Sequence, residues 1–260
     1  MTVYQRILIG TDGSDAANLA VQVAAELAGR LALPVSVVMA VKGDADDARS
    51  WLEPVGRAAT ELFDGHGVSD VTLVERGGSP GDVLIAVGRE NPDALLVVGA
   101  RGLGSTTARI FGSTSNALSH RSPIDVLFVQ KEPVQWHAIG LSTDGSPTSV
   151  RAVERGAGLA QALGAQAFLV TAAKSEEEGD QVLDAVEQQV AAPDGGYERD
   201  VITGVPADEA LVNAGWKYDI LVIGNRGMSG PARLLGSVAN KVTHDYEANL
   251  LLVNTTATPI

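Results

Sequence analysis

Short apolar runs alternate along this chain with longer stretches whose apolar residues recur at helical spacing. Arg6–Gly10, Val35–Val41, Val68–Glu75, Ala94–Val98 and Asp125–Val129 read as strands. Between the first two, Leu19, Val23, Leu27 and Leu31 form one helical stripe within Asp15–Leu33, and Pro34 ends it. Trp51–Asp64 carries Leu52, Val55, Ala59, Leu62 and Phe63, and Gly65 and Gly67 close that helix. The polar, acidic stretch Lys42–Ser50 before it reads as a surface loop. Further helices are expected at Gly81–Glu90, stopped by Asn91-Pro92, and from Ser113 to about Arg121-Ser-Pro123. Strand alternating with helix five times predicts a parallel sheet with helices on both faces and right-handed crossovers. Ligands of such sheets bind beyond the carboxyl ends of the strands, where strand order reverses. Asp12 and Gly99 both fall at such ends and can face one crevice.

The pattern then runs a second time. Thr143-Asp144-Gly145-Ser146 repeats Thr11-Asp12-Gly13-Ser14. Ala152, Val153, Leu159, Ala160 and Leu163 repeat Ala20, Val21, Leu27, Ala28 and Leu31 at a constant offset. Phe168–Ala173 replays the second strand, Asp219–Gly224 the fourth, and Asn249–Val253 is the last. Gly204-Val-Pro206 with Asp208 repeats Gly78-Ser-Pro80 with Asp82, and Glu176–Asp180 reads as a solvated acidic loop. With 260 residues available, two domains are expected, 1–131 and 138–256, joined by a linker over Lys131–His137. The fold class is therefore α/β: two tandem open five-stranded parallel sheets flanked by helices.

Composition narrows the chemistry. A formal net charge of −13 argues against wrapping nucleic acid through a basic field. A local group of backbone amides can still hold phosphate, because exposed charges beyond about 10 Å are largely screened at ordinary salt. Cysteine is absent, which removes disulfides, a thiol nucleophile and cysteine metal sites. No apolar run reaches membrane-spanning length and the N-terminus lacks a signal-peptide layout, so a cytoplasmic protein without membrane contact is expected. Aromatic residues make up only 4%, so the core rests on Ala, Val, Leu and Ile. His66, His120, His137 and His244 show no ligand spacing. There is no Ser–His–Asp set, no paired-carboxylate site and no Gly-x4-Gly-Lys-(Ser/Thr) loop. No catalytic residue and no metal ligand is assigned, and the chain reads as a non-enzyme.

One glycine-punctuated stretch carries the positive signal. The strand at Ala94–Val98 runs into Gly99-Ala-Arg101-Gly102, and Gly112-Ser113-Thr114 then opens a helix. Glycines allow close backbone approach, and a helix start offers amides without intrahelical partners together with a positive dipole end. That combination is an anion site, most often for phosphate. Taken alone, the same residues also fit a loop with a Ser/Thr helix cap. The order recurs, however, in Gly224-Asn-Arg-Gly227 followed by Gly236-Ser237-Val238. Nine residues separate Gly102 from Gly112, and eight separate Gly227 from Gly236.

With these residues assembled, the chain resembles the universal stress protein family in its tandem form, over nearly its whole length. Gly99, Gly102 and Gly112-Ser113 fit the Gly-x2-Gly-x9-Gly-(Ser/Thr) spacing of the family's nucleotide-binding members. The resemblance implies a Rossmann-like fold of the adenine nucleotide alpha hydrolase type. It also implies an adenine nucleotide as ligand, ATP or else AMP or cyclic AMP, with or without Mg. On that reading Asp12, beside Thr11, accepts hydrogen bonds from ribose or adenine, and Asp144, beside Thr143, repeats it; the alternative is a helix cap. Ala40 and Ala172 offer backbone groups to the base, or are ordinary core alanines. Gly102, Gly112, Ser113 and Thr114 cradle the phosphates. Arg101, Arg109, Arg226 and Arg233 add charge or stand in solvent. Three or four charge-assisted bonds of roughly 1.5–3 kcal/mol each, less ordering costs, support affinity on the order of micromolar. The shortened second arm implies a second site of altered affinity, or an empty one. The resemblance further implies that Val126–Val129 and Leu250–Val253 pair antiparallel, and it allows a homodimer. A regulatory stress-response role is expected; the alternatives are a slow ATPase or nucleotide-dependent enzyme, and a nucleotide-free interaction module.

Overall fold

The computed structural model describes residues 3–41, 45–100, 112–131, 136–225 and 235–255, without the side chains of 45–49. The chain divides into two compact units, Tyr4–Glu132 and Met1–Val3 with Pro133–Ile260.

In the first unit β1 (Arg6–Gly10), α1 (Asp15–Leu31), β2 (Val35–Val41), α2 (Ala45–Gly65), β3 (Val71–Gly77), α3 (Pro80–Glu90), β4 (Ala94–Gly99), α4 (Ser113–Arg121) and β5 (Val126–Val129) follow one another. The strands lie in the order β3-β2-β1-β4-β5, every pair parallel. Strand order reverses between β1 and β4, which puts the ends of those two strands at the crevice such sheets use. Ile7–Ile9 and Leu95–Val97 are fully buried. Helices cover both faces, so these strands read as continuous apolar runs rather than alternating ones.

Three elements differ from the sequence reading. Helix α1 stops at Leu31, two residues early: Ala32 adopts φ +52°, and its N–H returns to the Ala28 carbonyl before Pro34 is reached. Helix α2 begins at Ala45, so much of the expected loop is helical. Its Ala-Asp-Asp-Ala start is framed by alanine, the best helix former. Strand β3 is shifted to Val71–Gly77, in register with Val35–Val41, after a turn through Gly67 at φ +77°.

The second unit contains β6 (Ala138–Ser142), α5 (Pro147–Leu163), β7 (Gln166–Ala173), α6 (Glu176–Glu187), β8 (Tyr197–Thr203), α7 (Ala207–Asn213), β9 (Ile220–Gly224), α8 (Ser237–Asp245) and β10 (Asn249–Val253). A short 3-10 turn, Ala214–Trp216, precedes β9. The strand order β8-β7-β6-β9-β10, again parallel throughout, repeats the first unit. The acidic stretch Glu176–Asp180 is not a loop; it is the start of α6. The Ser175 hydroxyl accepts from the Glu178 N–H at 3.2 Å, and three glutamates lie in the first turn, where the helix dipole favours them. Arg199 on β8 holds the other end through Asp184 at 2.7 Å and Glu187 at 2.8 Å.

Candidate functional site

The site is built from two strand exits in each unit. After β1, the Thr11 N–H still bonds to the Val38 carbonyl at 3.1 Å, extending the sheet by one residue. The chain then turns through Gly13 at φ +76°, a conformation that suits glycine. Thr11 Oγ1 accepts from the Gly13 N–H at 3.2 Å, and Asp12 Oδ1 accepts from the Ser14 N–H at 3.0 Å. The helix cap itself is Ser14, whose hydroxyl accepts from the Ala17 N–H at 3.3 Å. Asp12 therefore stands exposed at the strand tip, with one oxygen on its own turn.

The second unit repeats this turn bond for bond. The Thr143 N–H meets the Val170 carbonyl at 2.9 Å, Gly145 has φ +76°, and Ser146 caps α5. Thr143 Oγ1 accepts from the Gly145 N–H at 3.1 Å and Asp144 Oδ1 from the Ser146 N–H at 3.0 Å. Partial burial works against the Asp144 charge, but hydrogen bonds from Ser146 and Ser149 outweigh it and hold the pKa below the usual carboxylate value. A carboxylate lowered in this way stabilises the fold above its unfolded pKa of about 3.9, and that contribution is lost as pH falls through the native value. Asp144→Asn is thus expected to lower stability at neutral pH and to flatten its decline below about pH 4; urea unfolding across a pH series checks this.

At the second exit, β4 ends in Gly99 and the Ala100 N–H bonds to the Val129 carbonyl at 2.9 Å. A Cβ at Gly99 would lie 2.4 Å from the Ala16 carbonyl oxygen, so only glycine lets the strand end pass this close to α1. Helix α4 starts at Gly112 (φ −61°, ψ 158°), and no side chain caps it. Ser113 is exposed and Thr114 partly so, leaving the first-turn amides at the surface. Gly236 opens α8 in the same conformation, φ −60° and ψ 151°, also without a side-chain cap, and Ser237 and Val238 are exposed there. Arg101, Gly102, Arg109, Arg226, Gly227 and Arg233 lie outside the described residues.

Ala40 and Ala172 occupy matching places near the ends of β2 and β7, half-buried and paired with Arg76 and Ile202. In the second unit an open cleft of about 580 Å³ lies beside Ala172, Ala173 and Lys174 on one side and Gly204, Val205 and Pro206 on the other. Its lining mixes the small residues Ala172, Ala173, Gly204 and Ala207 with the charged Lys174 and Glu178. A separate hollow of about 530 Å³ lies along Ser237, Val238 and Lys241, where Lys241 Nζ reaches Asp208 Oδ2 at 2.6 Å. Among the described residues no group of three or more His, Asp or Glu side chains could hold a metal ion, and no helix is long and apolar enough to cross a membrane.

Three residues at the exits escaped the sequence reading. Ser115 is buried, and its hydroxyl donates to the Gly99 and Ala100 carbonyls, both at 3.3 Å. Asn225 Oδ1 accepts from the Thr255 N–H at 3.1 Å and the Thr255 hydroxyl at 2.9 Å. Asn225 and Ser115 left a trace in the repeat, since Asn225 stands where the first half has Ala100 and Ser115 where the second half has Ala239.

The model of the universal stress protein family matches residues 3–130 and again 136–254. The chain belongs to the universal stress protein family. A universal stress protein of Mycobacterium tuberculosis is 32% identical over 144 residues, 50% of this chain and 98% of that protein. The crystal structure of a universal stress protein from Archaeoglobus fulgidus covers 97% of this chain and 99% of its own, with a TM-score of 0.75 and 16% identity, a likeness of fold. A universal stress protein crystallised in complex with cAMP is 28% identical, covering 50% of this chain and 99% of its own at a TM-score of 0.43. Both halves are thus universal stress protein repeats, and each carries the family's α/β sheet.

Proposed function

We propose that this universal stress protein binds an adenine nucleotide, ATP in the first place, at the strand-end crevice of each half, and serves as a regulatory stress-response protein rather than an enzyme. The observation that carries the reading is the uncapped helix start behind a glycine strand exit, Gly99 with Gly112 and Gly224 with Gly236, formed twice in one chain. Helix-start amides without a side-chain cap seek acceptors, and a phosphate at such a helix start supplies them together with charge. Asp12 and Asp144, at the tips of β1 and β6, suit the nucleoside end, since a carboxylate beside phosphates would repel them. The cleft beside Ala172 and Val205 suits a flat base. Any Mg would travel with the nucleotide phosphates. The same reading includes a cytoplasmic setting, pairing of the final strands of the two halves, and association of two chains.

Calorimetry of the full chain with ATP, ADP, AMP and cyclic AMP is the test. At least one is expected to bind with a Kd on the order of micromolar, and ATP is expected to remain intact over a long incubation with Mg. Absence of heat with all four would overturn the reading; metal-dependent phosphate release above background would favour the enzyme instead.

A further inference from the structure

The two helix starts are tethered to their strand exits by different bonds. In the first unit the tether is the Ser115 hydroxyl, which donates to the Gly99 and Ala100 carbonyls. Among the described residues the Gly112 N–H meets no acceptor. In the second unit the place of Ser115 is taken by Ala239, which has no hydroxyl. The Asn225 carbonyl, equivalent to that of Ala100, accepts the Gly236 N–H instead, at 3.1 Å. Asn225 is itself held fast. Its N–H bonds to the Val253 carbonyl at 2.9 Å, and its Oδ1 takes two bonds from buried Thr255.

We propose that the two halves are unequal nucleotide sites, the second holding phosphate more weakly because Asn225 claims the Gly236 amide, and that Ser115 against Ala239 sets the difference. The proposal rests on the nucleotide reading above. A strand-exit carbonyl must find a donor. Where a serine hydroxyl supplies it, the helix-start amide is left for the ligand; where alanine stands, the amide is drawn back onto the protein. An amide facing phosphate makes a charge-assisted bond, about twice as strong as the neutral bond it makes to a carbonyl. The nest in the second unit is therefore one good donor short. Ser115 and Ala239 touch no ligand in this account; they are positioning residues.

The test exchanges them in the full chain. Gly112→Val isolates the second site and Gly236→Val the first, and each is titrated with ATP by calorimetry. The second site is expected to bind about tenfold more weakly than the first. Ser115→Ala is expected to weaken the first site by a similar factor, and Ala239→Ser to strengthen the second. A purely structural role predicts loss in the one and no gain in the other, so the gain in Ala239→Ser is the deciding readout. If a valine background fails to fold, the Gly112 and Gly236 amide signals of the otherwise unaltered chain, labelled with nitrogen-15, serve: Gly112 is expected to shift at lower ATP than Gly236. Equal affinities, or no gain in Ala239→Ser, would overturn the proposal while leaving nucleotide binding in place. Absence of binding at both sites of the wild-type chain with ATP, ADP, AMP and cyclic AMP alike would overturn the nucleotide reading and this inference with it.

Discussion

Replacing Gly99 with valine is expected to destabilise the first unit by about 3 kcal/mol or more. The cause is local. A Cβ at this position meets the Ala16 carbonyl oxygen at 2.4 Å, its carbon at 2.7 Å and the Ala16 Cβ at 3.2 Å. Two of these are backbone atoms in the first turn of α1, just after the Ser14 cap, and neither can swing aside as a side chain tip would. Valine adds two methyl groups to the same gap, so the strand exit or the helix start must move. Either movement also disturbs the Ser115 bonds to Gly99 and Ala100. The matching position in the second unit makes the comparison. A Cβ at Gly224 would find Thr255 Cγ2 at 3.3 Å and the Thr148 carbonyl oxygen at 3.4 Å, tight but admissible. Gly224→Ala is therefore expected to cost about 1 kcal/mol or less, and Gly99→Ala clearly more. Urea unfolding of the full chain, followed by a probe in each unit, measures both. Equal costs at Gly99 and Gly224 would refute the close approach at Ala16.

That contrast shows where the sequence was informative. Apolar periodicity placed eight of the ten strands to within a few residues, all but β6 and β8, because each central strand is buried on both faces and admits few polar positions. Gly99 and Gly112 stood out because glycine leaves a visible mark. Helix starts were harder. The acidic run Glu176–Asp180 looks like a solvated loop in composition, yet the Ser175 hydroxyl and the dipole make it the first turn of α6. Ala45 likewise begins a helix without any apolar stripe to announce it. At the candidate site, the turn residues Thr11, Asp12, Thr143 and Asp144 were legible because the repeat doubled them. Ser115 and Thr255 were not, because their roles are bonds to main-chain and side-chain atoms 15 to 30 residues away in sequence. A hydroxyl reaching a carbonyl across a crevice has no periodicity and no motif.

Tyr218→Ala is expected to cost the second unit about 3–5 kcal/mol, the range for removing a large buried aromatic side chain. Tyr218 stands just ahead of β9, the strand whose other end is the Gly224 exit, and it is only 3% exposed. Its ring lies over Gly140 of β6, where a Cβ would come within 2.6 Å of the ring, and packs against Phe168 of β7 at a centroid distance of 5.5 Å. Its hydroxyl donates to Asp200 Oδ2 at 2.5 Å, and Lys217 Nζ reaches the same oxygen at 2.7 Å. Burial, then the hydrogen bond and charge of Asp200, push the phenol well above its ordinary pKa, so it stays a donor at any pH the protein will meet. One side chain thus joins β6, β7, β8 and the start of β9. Tyr218→Phe keeps the ring on Gly140 and removes only the hydroxyl, leaving Lys217 to satisfy Asp200, so its cost is expected near 1–2 kcal/mol. A large loss in Tyr218→Ala with a small one in Tyr218→Phe would place the stabilisation in the ring's packing. Comparable losses would place it in the Asp200 bond instead. With the ring gone, the start of β9 loses its anchor across three strands, and a nucleotide site resting on the far end of that strand would weaken along with the fold.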